Sequence, residues 1–108
     1  CDTCRNARRW LDERGIVYEV VDLTATPPSL AALRAIHRAA GVPARKLFNT
    51  SGQAYRAGDY GRRLPTMDDE AMLAELSRDG MLVKRPILVR GEVALIGFSA
   101  DVYARALA

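Results

Sequence analysis

The sequence predicts an α/β fold: a mixed central sheet flanked by helices, interrupted by a helical insertion at about residues 27–80. Three observations carry that prediction. The only two cysteines stand as Cys1-Asp2-Thr3-Cys4 directly ahead of a helical run, and such a pair beside an α/β pattern is a redox signal. Residues 16–23 (IVYEVVDL) are β-branched and partly alternating, which reads as a strand. Residues 86–89 and 93–96 read as two short strands joined by a tight turn at Arg90-Gly91-Glu92. The 108 residues are expected to form one domain with a modest core.

Each element follows from local chemistry. Residues 3 to about 14 form a helix with Ala7, Trp10 and Leu11 on one face and Gly15 as its stop. Thr26 before Pro27-Pro28 supplies an N-cap and a proline at the first helical position. That helix turns Leu30, Leu33 and Ile36 inward and ends at Gly41. Short helical turns are expected at 45–48 and 53–57, separated by Asn49-Thr50-Ser51-Gly52. Thr66, with Asp69 three residues on, caps a further helix whose apolar face is Met72, Leu73 and Leu76 and whose end is Gly80. Ser99 caps the last helix, which buries Val102, Ala106 and Leu107.

A helix opened by a cysteine pair normally follows a strand that delivers it to the sheet. The intact protein is therefore expected to carry about ten upstream residues, enough for one strand and its turn.

Composition narrows the function. Hydrophobic residues make up 49% of the chain and charged ones 27%, as in an ordinary globular domain. No apolar run approaches the roughly 20 residues that span a bilayer, so no membrane partner is expected. The net charge of +3 falls short of the dense basic stripe of a nucleic-acid binder, and direct nucleic-acid contact is not expected. A lone cysteine pair with no wider disulfide framework fits a reducing cytoplasm.

The cysteine pair dictates the chemistry. A helix N-terminus carries partial positive charge and favours a thiolate at Cys1, and Arg5 adds to that field. Cys4, one turn on, can attack a sulfur adduct formed on Cys1 and release it as an internal disulfide. Three plainer readings compete. A structural disulfide this short clamps almost no loop. A zinc site needs about four ligands, and His37 is the only other soft donor, so no metal is expected. Burial as two small hydrophobes is the third.

Beyond the pair, the runs Arg5-Asn6-Ala7-Arg8-Arg9-Trp10-Leu11, Lys46-Leu47-Phe48-Asn49-Thr50, Asp79-Gly80-Met81-Leu82-Val83-Lys84-Arg85-Pro86 and Leu95-Ile96-Gly97-Phe98 span the chain nearly end to end. With them the chain resembles the arsenate reductase (ArsC)/Spx/MgsR family, and most closely its small ArsC-like reductases with a Cys-x-x-Cys motif. The resemblance implies a thioredoxin-like fold, Cys1 as nucleophile and Cys4 in the place of a resolving cysteine. It implies that Pro86 is a cis-proline beside the active site and that Arg85 holds an oxyanion substrate. It also implies no bound cofactor, glutathione as co-substrate, glutaredoxin as a partner, and an oxyanion or glutathione mixed disulfide as substrate.

The chain departs from the arsenate reductases at two places. Asn49 stands where the insertion is expected to supply an arginine, and Gly97 where another is expected near the last strand. One arginine neutralises a tetrahedral oxyanion poorly. The leading reading is a thiol-disulfide or arsenate-type oxidoreductase. The alternative is a redox-sensing regulator of the Spx/MgsR type, in which the Cys1–Cys4 state alters docking onto the C-terminal domain of the RNA polymerase α subunit. Gly52 is there a candidate for close approach, though a turn glycine explains it as well. His37 reads as a surface or half-buried side chain, and Tyr55, Tyr60, Arg62 and Arg63 as a solvated loop rather than the lining of a cleft between insertion and sheet. Trp10, Tyr18 and Phe98 read as core aromatics.

Overall fold

The computed structural model describes residues 2–23 and 25–107. Helix α1 (Asp2–Glu13) buries Ala7, Trp10 and Leu11, the spacing that one face of a 3.6-residue repeat demands. Gly15 follows it at φ +67°, a left-handed conformation that glycine adopts without a Cβ penalty. Helix α2 (Leu30–Ala40) ends in the same way at Gly41. Its cap is Ser29, not Thr26: the Ser29 hydroxyl accepts from the Ala32 N–H at 3.1 Å. The reason is Pro27-Pro28, since a residue preceding proline is driven out of the helical region and the helix cannot start before Ser29.

The insertion continues with a 3-10 turn (Ala44–Leu47), α3 (Gln53–Ala57), α4 (Tyr60–Arg63), a second 3-10 turn (Leu64–Thr66) and α5 (Asp69–Arg78). The cap of α5 is Asp68, whose carboxylate accepts from the Ala71 N–H at 2.8 Å. Thr66 is already engaged, donating its hydroxyl to the Arg63 carbonyl at 2.7 Å. Tyr60 belongs to the core rather than to a solvated loop: it is buried against Phe48 and Tyr55, with the Arg63 guanidinium 4.4 Å from its ring centre.

After a third 3-10 turn (Gly80–Leu82), strands β1 (Ile87–Arg90) and β2 (Val93–Ile96) form an antiparallel hairpin, and α6 (Ala100–Leu107) closes the chain. Helix α6 buries Tyr103 and leaves Val102 exposed, opposite to the expectation for Val102. The hairpin is the only sheet among the described residues. Residues 16–23 do not form the expected strand: the Ile16 N–H turns back to the Leu11 carbonyl at 3.0 Å and the Asp22 carbonyl accepts from the Thr26 N–H at 3.1 Å, local turn bonds rather than rungs of a ladder. Val17, Val20 and Val21 are exposed.

Two hydrophobic cores meet at the hairpin. One gathers Leu33, Leu47, Phe48, Leu73, Leu76 and Val83, and Ile87 and Ile96 pack on it. The other gathers Ala7, Trp10, Leu11 and Tyr103, and Leu88 and Leu95 pack on it. Ile87 pairs with Ile96 and Leu88 with Leu95, so the two-residue period of the strands sends alternate pairs to opposite faces.

Candidate active site

A cleft of about 640 Å³ opens where the first turn of α1, the insertion and the hairpin converge. Thr3 of α1 lies on its wall, with Asn49 and Ser51 from the insertion and Lys84 and Arg85 from the segment before β1. Apolar lining comes from Ala94, Ile96, Phe98 and Val102. Among the described residues, no Asp or Glu lines it, so the cleft is cationic.

Backbone pairing holds these groups together. Phe48 and Val83 form an antiparallel bridge; the Asn49 N–H donates to the Leu82 carbonyl at 2.7 Å and the Lys84 N–H to the Leu47 carbonyl at 2.8 Å. Asn49 is thereby fixed beside the Lys84-Arg85 pair. Gly52 sets the Asn49 side chain as well, because a Cβ at Gly52 would lie 2.8 Å from the Asn49 amide nitrogen. Gly52 is in this respect a packing residue that turn chemistry alone did not reveal.

The Arg85–Pro86 peptide is cis, and the Pro86 carbonyl accepts from the Gly97 N–H at 2.8 Å. Arg85 is half-buried, and its enclosed Nε finds no hydrogen-bond acceptor among the described residues.

Not every candidate residue lies in the cleft. Cys1 lies outside the described residues. Cys4 is half-buried and close enough to Tyr103 for its charge to act on the phenol. Arg5 faces solvent, where its guanidinium pairs with Asp2 one turn earlier on the same face of α1. Lys84 is the cleft residue that motif reading passed over, although its place beside Arg85 was the available signal. Among the described residues, no group of three His, Cys, Asp or Glu side chains converges to hold a metal, and no helix is long and apolar enough to cross a membrane.

Tyr103 ties the cysteine helix to the cleft floor. Its hydroxyl donates to the Gly97 carbonyl at 2.9 Å, and its ring meets Trp10 and Phe98 edge to face. Burial, with a smaller contribution from the Cys4 charge, pushes its phenol from the usual 10 up to about 12. The folded state therefore holds this proton more tightly than the unfolded chain. Its contribution is complete below pH 10 and is lost as pH rises towards 12, a fall of about 2–3 kcal/mol. Denaturant unfolding at pH 9 and pH 12 should show Tyr103→Phe losing less stability across that interval than the native chain.

The family model described as the ArsC family matches residues 1–106. The chain belongs to the ArsC family. Relatives of this ArsC protein include YusI of Bacillus subtilis, 39% identical over 101 residues (94% of this chain, 86% of YusI). An arsenate reductase of Neisseria meningitidis is 33% identical over 98 residues (90% and 82%). The global transcriptional regulator Spx of Listeria innocua is 23% identical over 101 residues (94% and 76%). A crystal structure of an ArsC family related protein from Bacteroides fragilis superposes with a TM-score of 0.95 at 36% identity, covering 97% of this chain and 88% of that one. The fold is the thioredoxin-like one of these ArsC-like neighbours.

Proposed function

We propose that the chain is a thiol-dependent reductase in which Cys1 attacks an electrophile seated in the cleft and Cys4, or glutathione, resolves the adduct. The observation that supports this reading is that Thr3, between the two cysteines, shares one cleft with Arg85. The substrate is a mixed disulfide or an oxyanion. With a mixed disulfide, the Cys1 thiolate bonds to one sulfur and the other departs as a thiolate. The Cys4 thiolate then attacks the Cys1 sulfur, forming the Cys1–Cys4 disulfide and releasing the second thiolate. Two electrons pass to the substrate, and two from glutathione or a glutaredoxin dithiol restore the pair. With arsenate, Cys1 displaces one oxygen as water, and thiol attack on the Cys1 sulfur leaves the bonding pair on arsenic, taking it from As(V) to As(III). Arg85 and the N–H groups of the first turn of α1 bear the negative charge. A reducing cytoplasm is the compartment in which such a pair would cycle.

A second reading, the redox-sensing regulator, draws support from the Spx relative and from Arg5, Arg8 and Arg9, all exposed on α1 and suited to an acidic partner such as the RNA polymerase α subunit.

Turnover of arsenate and of a glutathione mixed disulfide, with glutathione and glutaredoxin as donors, tests the reductase. Cys1→Ser should fall to the uncatalysed rate, and Cys4→Ser should retain turnover only with glutathione in excess. Absence of turnover on both substrates, with a Cys1–Cys4 disulfide still forming under mild peroxide, would transfer the assignment to the regulator.

A further inference from the structure

We propose that Lys84 is the second cation of the cleft and selects substrates whose thiol portion carries a carboxylate. The inference rests on the reductase reading for the word substrate, but its evidence is separate.

Lys84 is held in place by its backbone and by a glycine. Its N–H is fixed to the Leu47 carbonyl, and its side chain runs across Gly97. A Cβ at Gly97 would touch the Lys84 Cε at 3.4 Å and lie 3.9 Å from Nζ. Gly97 is buried and sits at φ +79°, so both the missing side chain and the left-handed backbone favour glycine there. The bare Gly97 surface thus leaves room for the end of the exposed Lys84 side chain, its Cε and Nζ, on the cleft wall next to Arg85.

The charge of Lys84 is not spent within the described residues. The ion pairs of the structure engage Arg5, Arg34, Arg62, Arg63 and Arg78, and Lys84 is in none of them. Its neighbour Arg85 presents an enclosed Nε with no acceptor among the described residues. Two adjacent cations in a cleft lined by no described carboxylate call for an anionic ligand.

The shape of the cleft says which kind. A volume of about 640 Å³ lies in the range of sites for ligands of many atoms, far beyond a tetrahedral oxyanion. Its lining includes the apolar Ile96, Phe98 and Val102, whereas a small oxyanion needs donors on all sides. A peptide-sized thiol with carboxylates fits both halves: its carboxylate at Lys84 and Arg85, its body along Ile96 and Phe98.

The test uses S-methylglutathione, which cannot react, and its diethyl ester, in which both carboxylates are masked while the amino group is kept, titrated into the native chain and into Lys84→Met and Lys84→Arg by calorimetry or amide-shift NMR. The native chain should bind the acid about tenfold more tightly than the ester. Lys84→Met should erase most of that preference and Lys84→Arg should keep it. Equal binding of acid and ester by the native chain, or a full preference surviving in Lys84→Met, would overturn the proposal. Because the probe does not turn over, these outcomes are independent of the reductase assay. A chain that shows the preference without turnover keeps the anion seat and loses the enzymatic reading.

Discussion

Arg85→Ala should lower kcat/KM for the reduced substrate by about a hundredfold to a thousandfold, the range seen when one preorganised donor at a developing charge is removed. The expectation comes from the state of its guanidinium: half-buried, on the cleft wall, with an enclosed Nε that no acceptor meets among the described residues. Alanine removes the charge and the directed donors together. Arg85→Lys should recover little of the loss, because an ammonium supplies a point charge and lacks the planar fork. Steady-state kinetics on all three proteins, beside circular dichroism to verify folding, checks the prediction. A loss under threefold in Arg85→Ala would remove this residue from the machinery.

The second large effect is on stability. Phe48→Ala should cost about 3–5 kcal/mol, as for buried phenylalanines generally. Phe48 is 1% exposed, and its ring meets both Tyr55 and Tyr60. With total stabilities of roughly 5–15 kcal/mol, the melting point should fall on the order of 20 °C. Phe48→Leu, which keeps most of the apolar volume, should lose less than half as much. Thermal melts followed by circular dichroism compare the two. The site is affected as well as the core, because the Phe48–Val83 bridge is flanked by the hydrogen bonds that seat Asn49 and Lys84.

Periodicity made the helices legible. Ala7, Trp10 and Leu11 on α1, and Met72, Leu73 and Leu76 on α5, were readable because a buried stripe repeats every 3.6 residues whatever lies opposite. Caps were harder, since several residues compete for one role. Pro28 disqualified the start at Thr26, and the Thr66 hydroxyl was taken by the Arg63 carbonyl, which left the capping to Ser29 and Asp68. Residues 16–23 have strand composition, but a strand exists only through a neighbour, and composition does not name one. The same limit applies to the cleft. Arg85 and Asn49 were visible through their motifs, whereas Lys84 depends on a Gly97 thirteen residues away, and Arg5 on which side of α1 faces solvent.

The hairpin has a consequence for how the molecule yields. Its Ile87–Ile96 pair belongs to one core and its Leu88–Leu95 pair to the other, so it is a party wall rather than an outer leaf. A two-stranded ribbon cannot stand alone in water. If either core dissolves, the wall loses one of its two supports, and the cleft that opens against Ile96 and Phe98 loses its shape at the same moment. Binding in that cleft would grip both halves at once, so an occupant would act as a keystone for the whole fold.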